Sequence, residues 1–212
     1  MAKKNSNKKF PFNTVIILVS FAIVCFYFFN SEKPGILFGY AYEEVEENYG
    51  KKIDLYAGIL KLPPSYFKSL AILECSGKKD FPHRFESHVY KKLQEVKQGK
   101  RPEYEYVTTA MLRNANDEAL QNLATSWGPF QIMGYKCLEM KISILDLRGE
   151  DAVFWGITWI NKSYGKYLQQ GKFKDAFHIH NTGKPFPLQG KSLTHNPNYV
   201  ENGLKYMMHF KK

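Results

Sequence analysis

Two glutamates, Glu74 and Glu86, lie in one short stretch of the chain, LECSGKKDFPHRFESHVY (73–90). A protonated carboxyl can donate its proton to the oxygen of a breaking bond, and an ionised carboxylate can activate a water molecule. Two carboxyls held in different protonation states can therefore cleave a bond between two sugars. Whether this pair does so depends on the elements that hold the two side chains.

The pattern of residues 64–75 predicts a helix that ends just after Glu74. Pro63 and Pro64 suit the start of a helix, and Gly77 suits its end. The carboxyl of Glu74 is therefore expected close to the C-terminus of a short helix.

Glu74 also continues the apolar stripe of this helix. Phe67, Leu70 and Ala71 follow the i, i+3, i+4 spacing of one helix face, and Glu74 is the next residue on that face. A half-buried carboxyl at a helix C-terminus favours its protonated form, because desolvation and the negative end of the helix dipole both oppose the charge. Such a group suits a general acid that protonates a glycosidic oxygen.

Position alone also permits a structural role for Glu74. An ion pair with Arg84 or Lys79 would satisfy the same carboxylate, and ion pairs commonly use such glutamates. The choice between the two roles depends on other parts of the chain.

Four blocks of sequence, in the same order along the chain, resemble the lysozyme-like superfamily of peptidoglycan glycosidases. The block LPPSYFKSLAILECSG (62–77) resembles its active-site helix, and HRFESHVYKKL (83–93) is similar to a stretch of the phage-type N-acetylmuramidases. ATSWGPFQIMG (124–134) resembles the Ser-x-x-Gly-x-x-Gln block of lytic transglycosylases and goose-type lysozymes. It is more similar still to the Ser-Trp-Gly-x-x-Gln-Ile-Met-Gly block of the phage-type N-acetylmuramidases. FKDAFHIHNTGKP (173–185) resembles a transglycosylase segment that contains Tyr-Asn.

The resemblance implies a role for each matching residue. Glu74 matches the catalytic acid, and Glu86 matches an acidic residue that acts as a base or positions the substrate. Ser126 and Gln131 match polar cleft residues that hold the sugar or an attacking water. Asn181 matches an asparagine that lines the same cleft. His180 stands where the family usually has tyrosine, and Cys75 stands where serine or glycine is usual.

Trp127 has two interpretations. Its ring can stack on a sugar face and bind substrate, or it can pack in the core. No cysteine or histidine spacing resembles a zinc site, so we expect neither a metal nor a cofactor.

The helical patterns predict a mainly α fold, lysozyme-like, with a small β-hairpin near residues 81–89. Beyond the helix of 64–75, helices are expected at 150–169, 172–180 and 197–210. A single transmembrane helix is expected to precede this domain.

The apolar run Phe12–Phe29 predicts that membrane anchor. It has 18 residues without a charge, and as a helix it rises about 27 Å, near the thickness of a bilayer core. Lysines precede the run, so the positive-inside rule places the N-terminus in the cytoplasm and the remaining chain on the periplasmic or extracytoplasmic side. A cleaved signal peptide is the alternative, although FFNSEKPG after the run is a poor cleavage site.

The predicted organisation is a cytoplasmic tail (1–11), the anchor (12–29), a juxtamembrane linker (30–50) and a catalytic domain (51–212). The linker is expected to turn into an acidic helix, so that the globular part begins near Tyr40. The net charge of +10 suits an anionic partner, although it also suits plain solubility. No nucleic-acid motif of specific spacing is present. The expected partners are therefore peptidoglycan glycan strands and, through the anchor, the lipid bilayer.

Cys25 lies in the predicted anchor, and Cys75 and Cys137 lie in the exported part. An extracytoplasmic location permits a disulfide between Cys75 and Cys137. Two buried free thiols explain the sequence equally well.

The sequence therefore predicts a membrane-anchored glycosidase that cleaves the glycan backbone of peptidoglycan, with Glu74 as general acid. The sequence leaves two cleavage mechanisms open. A muramidase would use water as the attacking group, with retention or inversion at the anomeric carbon, and a lytic transglycosylase would use the 6-hydroxyl of the sugar. The alternative outside the enzymes is a catalytically inactive lysozyme-like module that binds the cell wall or acts there as an inhibitor.

Overall fold

The computed structural model describes residues 34–211, and their side chains from Tyr40 onward. The predicted tail and anchor, 1–11 and 12–29, therefore lie outside the described residues. Within residues 34–211, no helix is both long and apolar enough to cross a bilayer.

Helices make up most of the described chain, which confirms the mainly α prediction. In chain order they are α1 (Pro34–Val45), a π-helical turn (Glu46–Gly50), α2 (Lys51–Ile59), α3 (Pro64–Cys75), α4 (Ser87–Lys97), α5 (Thr109–Leu112), α6 (Asp117–Leu123), α7 (Lys136–Met140), α8 (Ile144–Arg148), α9 (Ala152–Gln169), α10 (Phe173–Thr182) and α11 (Tyr199–His209).

The described strands form two short antiparallel hairpins. Strand β1 (Glu103–Tyr104) pairs with β2 (Val107–Thr108), and β3 (Ser126–Trp127) pairs with β4 (Ile132–Met133).

The hairpin expected near 81–89 was placed wrongly. Phe85 makes one isolated bridge to Thr125, and Glu86 is followed at once by helix α4. Pro82 lacks the N–H that a strand ladder needs. This segment therefore lies beside β3 as a single bridge and does not fold back on itself.

Helix α3 is the buried centre of the fold. Nine of its 12 residues are buried, and Phe67, Leu70 and Ala71 are fully buried. It packs against α2 and α11, while α9 packs against α2, α8 and α10. Helix α4, with α5, α6 and the β1–β2 hairpin, forms a second group of elements.

Two residues in the left-handed conformation end helix α3 directly after the Glu74–Cys75 pair. Ser76 has φ of 55° and Gly77 has φ of 75°. Glycine is required at residue 77 for a second reason, since a Cβ there would lie 2.7 Å from the backbone nitrogen of Val45. The turn that follows Glu74 is therefore in direct backbone contact with helix α1.

The segment 41–50, which the sequence placed in the linker, belongs to the same compact unit as the rest of the domain, a unit that begins at Ala41. Asn48 donates from Nδ2 to the carbonyl oxygen of Gly77 at 2.9 Å, and the Tyr49 hydroxyl donates to that of Lys78 at 2.7 Å. These two bonds hold the turn behind Glu74 in place.

A buried lysine of α3 anchors the same segment. Lys68 is 8% exposed and forms ion pairs with Glu46 at 2.8 Å and Asp54 at 3.0 Å. A buried ammonium needs such partners, because desolvation opposes its charge. The ion pairs therefore tie the π-helical turn and α2 to the central helix.

Candidate active site

A cleft of about 540 Å³ lies at the C-terminal end of α3. Its walls come from the end of α3, the loop that follows it, the β3–β4 hairpin, α10 and the segment before α11. The lining residues are Leu73, Glu74, Pro82, His83, Arg84, Ser126, Gln131, Met133, His180, Asn181, His195, Asn196 and Tyr199.

Four of the six site residues expected from the sequence meet in this cleft. Glu74, Ser126, Gln131 and Asn181 line it together, although they come from three different elements. Glu86 and Trp127 are not among its lining residues.

Glu74 is held by a hydroxyl and faced by an imidazole. Its side chain is 17% exposed, and its Oε1 accepts a hydrogen bond from the hydroxyl of Tyr199. Nε2 of His180 lies 3.7 Å from the same oxygen. Among the described residues, none forms a hydrogen bond with the other oxygen, Oε2, which leaves that atom for a ligand in the cleft.

His180 is neutral because it is buried. Burial lowers the pKa of His180, and the nearby Glu74 opposes this shift only in part. Nδ1 accepts from the Tyr164 hydroxyl at 2.7 Å, and Nε2 donates to the carbonyl oxygen of Phe130 at 3.0 Å. The Tyr66 hydroxyl donates in turn to Tyr164 at 3.2 Å. This chain of hydrogen bonds fixes the tautomer with its proton on Nε2.

Ser126 and Gln131 form a polar pair on the opposite wall. The Ser126 hydroxyl lies 2.7 Å from Gln131 Oε1 and donates to it. Gln131 has φ of 49°, a left-handed conformation that costs about 1–2 kcal/mol for a residue with a Cβ. Its side-chain nitrogen donates to Gly128 O at 3.2 Å, which closes the tight turn between β3 and β4. Strained backbone of this kind concentrates at functional sites.

Glu86 is engaged elsewhere. Its Oε1 lies 2.5 Å from Nε of Arg84 but makes no hydrogen bond, since the contact has the distance of an ion pair without the angle of a hydrogen bond. Its Oε2 lies 3.4 Å from Nδ1 of His88. Arg84 and His88 therefore provide charge partners for the Glu86 carboxylate within the protein itself.

Trp127 is buried. Its ring contacts the imidazole of His83 and the guanidinium of Arg148, and its Nε1 donates to Asn122 O at 2.8 Å. The sequence analysis offered sugar stacking or core packing for this ring, and its buried position is that of a core residue.

Cys75 and Cys137 are free and buried. Burial raises the pKa of Cys75 to about 12 and that of Cys137 to about 11, so both are thiols at neutral pH. Of the two states that the sequence left open, the structure has the reduced one. In the described chain, no group of three or more histidines, cysteines and acidic residues is arranged to hold a metal ion.

Comparison with known proteins gives no match. No family model matches the chain, and no curated protein or solved structure is significantly similar to it. The resemblance to the lysozyme-like superfamily therefore rests on the four sequence blocks alone.

Sequence reasoning missed the groups that hold Glu74. Tyr199 lies 125 residues further along the chain and opens an amphipathic helix, where an aromatic residue looks like ordinary core. Tyr164 and Tyr66 are likewise buried aromatic residues of helices. His180 carried a weak indication, since it replaces the tyrosine of the resembling segment.

Proposed function

We propose that this protein cleaves the glycan backbone of peptidoglycan with Glu74 as the general acid and that it does so as a lytic transglycosylase. The observation that carries the proposal is the composition of the cleft. Among the described residues that line it, Glu74 is the one carboxylate. Two-carboxylate hydrolysis needs a second carboxyl group beside the scissile bond, and Glu86 is not among the residues that line this cleft.

In the proposed reaction, Glu74 acts first as an acid. Its carboxyl gives a proton to the glycosidic oxygen, so that the bond between that oxygen and the anomeric carbon of N-acetylmuramic acid breaks. The 6-hydroxyl of the same sugar then forms a new bond to the anomeric carbon, and its proton returns to Glu74. The products are a free 4-hydroxyl on one fragment and a 1,6-anhydro ring on the other, and no water is consumed.

The residues around Glu74 suit these two proton transfers. The Tyr199 hydroxyl fixes the carboxyl group in one orientation, and neutral His180 adds no charge that would hold it ionised. Ser126, Gln131 and Asn181 supply donors and acceptors for sugar hydroxyl and acetamido groups. An inactive binding module would gain nothing from a half-buried carboxyl, which is costly to desolvate.

A carboxyl-to-amide exchange tests the proposal. Glu74→Gln keeps the shape of the side chain but cannot donate the proton, so we expect the full-length protein to lose about 10²–10⁴-fold of its rate on purified cell walls. The measurement is the release of soluble fragments. Glu86→Gln is the matched control and should keep most of the activity. Equal activity of Glu74→Gln and the unchanged protein would refute the proposal.

A further inference from the structure

A second cavity, of about 470 Å³, adjoins the cleft and is lined by basic side chains. Lys52, Lys79 and Arg148 line it, and His83 belongs both to this lining and to that of the cleft. A ligand that leaves the cleft past His83 therefore enters a basic cavity, which we call the basic pocket.

The positive charge of the basic pocket is only partly balanced. Its one acidic residue, Glu150, forms an ion pair with Lys52 at 2.6 Å. Within residues 40–211, no carboxylate lies within ion-pair distance of Lys79 or Arg148. Two cations thus remain for an anion, and the positive N-terminal end of the long helix α9 borders the same cavity.

The guanidinium of Arg148 stacks against the ring of Trp127. Its guanidinium carbon lies 4.4 Å from the centre of the Trp127 ring, and the His83 ring lies 4.5 Å away on the same indole. The indole is fixed in turn by its hydrogen bond to Asn122. A guanidinium stacked in this way loses little further freedom when it binds a planar oxyanion through two parallel N–H groups.

We propose that the basic pocket binds a carboxylate of the peptide that branches from the glycan strand and that Trp127 positions Arg148 for this contact. The inference rests on the proposed function, because it takes the sugar in the cleft as the point from which the peptide branches. The pocket adjoins the cleft and is not a separate surface patch, which favours a group attached to the bound sugar. A free polymer elsewhere in the wall would need no such connection.

Binding to insoluble glycan strands tests the inference without any cleavage. The full-length protein in detergent carries Glu74→Gln, so that the strands stay intact. We compare three strand preparations: untreated, stripped of peptides by an amidase, and stripped of phosphate polymers by hydrofluoric acid. We expect about tenfold weaker binding after the peptides are removed and no change after the phosphates are removed.

Two double variants locate the effect. Lys79→Ala with Arg148→Ala should bind peptide-bearing strands about tenfold more weakly and peptide-free strands unchanged. Lys91→Ala with Lys166→Ala removes the same charge from exposed positions outside the basic pocket and should leave binding to both strands unchanged.

Three results would overturn the inference. Equal affinity for strands with and without peptide would show that the peptide is not the ligand of the basic pocket. Equal losses of affinity in the two double variants would show that binding depends only on the net charge of the protein. Loss of affinity after hydrofluoric acid treatment alone would assign the basic pocket to a phosphate. A failure of the proposed function looks different: the unchanged protein then cleaves no glycan, while peptide-dependent binding through Arg148 persists.

Discussion

At the scale of single residues, the carboxyl of Glu74 is placed by groups that carry no charge. The Tyr199 hydroxyl and the neutral imidazole of His180 share the space around Oε1. This environment differs from that of Glu86, whose neighbours are Arg84 and His88. The two glutamates look alike in the sequence, yet the nearest partners of Glu74 are uncharged, whereas Glu86 contacts basic side chains.

The neutral state of His180 makes the stability of the fold depend on pH. Burial lowers the pKa of His180 below its usual value of 6.5. As the pH falls below 6.5, the unfolded chain binds a proton at this residue and the folded protein does not. The contribution of His180 to stability is therefore complete above pH 6.5 and is lost as the pH falls toward the folded pKa.

We expect His180→Gln to flatten the dependence of the free energy of unfolding on pH between roughly pH 5 and 7. Urea unfolding at a series of pH values measures it. His195→Gln, at an exposed position of the same cleft, is the matched control and should keep the slope of the unchanged protein. An unchanged slope in His180→Gln would show that the folded protein protonates this residue as readily as the unfolded chain does.

At the scale of elements, the turn after α3 connects the candidate site to the segment 41–50. Gly77 is in contact with the backbone of α1, and its carbonyl accepts from Asn48. Any shift of this turn moves the last residues of α3, among them Glu74.

Gly77→Ala tests this contact. The added Cβ meets both a left-handed φ of 75° and the backbone nitrogen of Val45 at 2.7 Å. We expect a loss of about 2–4 kcal/mol in the free energy of unfolding, from the strained conformation and the overlap together. Thermal and urea unfolding measure it.

Gly183→Ala is a close control for this change. Gly183 has the same φ of 75° and nothing within 4 Å of an added Cβ. It should lose only the conformational part, about 1–2 kcal/mol. Equal losses at the two glycines would show that α1 does not constrain the turn.

The sequence predicted α3 well because its ends are set by local chemistry. Pro64 begins the helix, and Gly77 follows its C-cap, as the pattern indicated. The gathering of Glu74, Ser126, Gln131 and Asn181 in one cleft came from the resembling blocks and not from periodicity.

The hydrogen-bond partner of Glu74 could not be predicted from neighbouring residues in the sequence. The contact with Tyr199 spans 125 residues of chain, and no spacing rule relates two residues so far apart. The hairpin position failed for a similar reason, since Phe85 bridges to Thr125 and not to a neighbour in sequence. The sequence placed the segment 41–50 in a linker because it is rich in acidic residues. In the structure it is held by the ion pair of Glu46 with Lys68 and by the hydrogen bonds of Asn48 and Tyr49.

At the scale of the whole molecule, the compact unit starts at Ala41. This lies close to Tyr40, where the sequence analysis expects the globular part to begin, and before residue 51, where it draws the boundary of the catalytic domain. A chain shortened to begin at Ala41 keeps the contacts of Val45, Glu46, Asn48 and Tyr49. A chain that begins at Lys51 loses them and leaves Lys68 without one of its two carboxylate partners.

We therefore expect the version that begins at Ala41 to fold and to keep the glycan-cleaving activity. The version that begins at Lys51 should be less stable by about 1–3 kcal/mol, because Gly77 and Lys78 lose their hydrogen bonds from Asn48 and Tyr49, while Lys68 keeps Asp54 as a partner. Circular dichroism melting of the two purified proteins measures the difference. Equal melting temperatures would show that 41–50 is a linker after all.

The central claim is that a single carboxylate, Glu74, performs the cleavage and that the sugar itself supplies the attacking hydroxyl. Mass spectrometry of the fragments released from purified peptidoglycan tests it most directly, with the reaction run in water enriched in oxygen-18. The account predicts 1,6-anhydro ends that carry no oxygen-18 and that disappear in Glu74→Gln. Reducing ends labelled with oxygen-18 would contradict it, since they require an attacking water and make the protein a hydrolase.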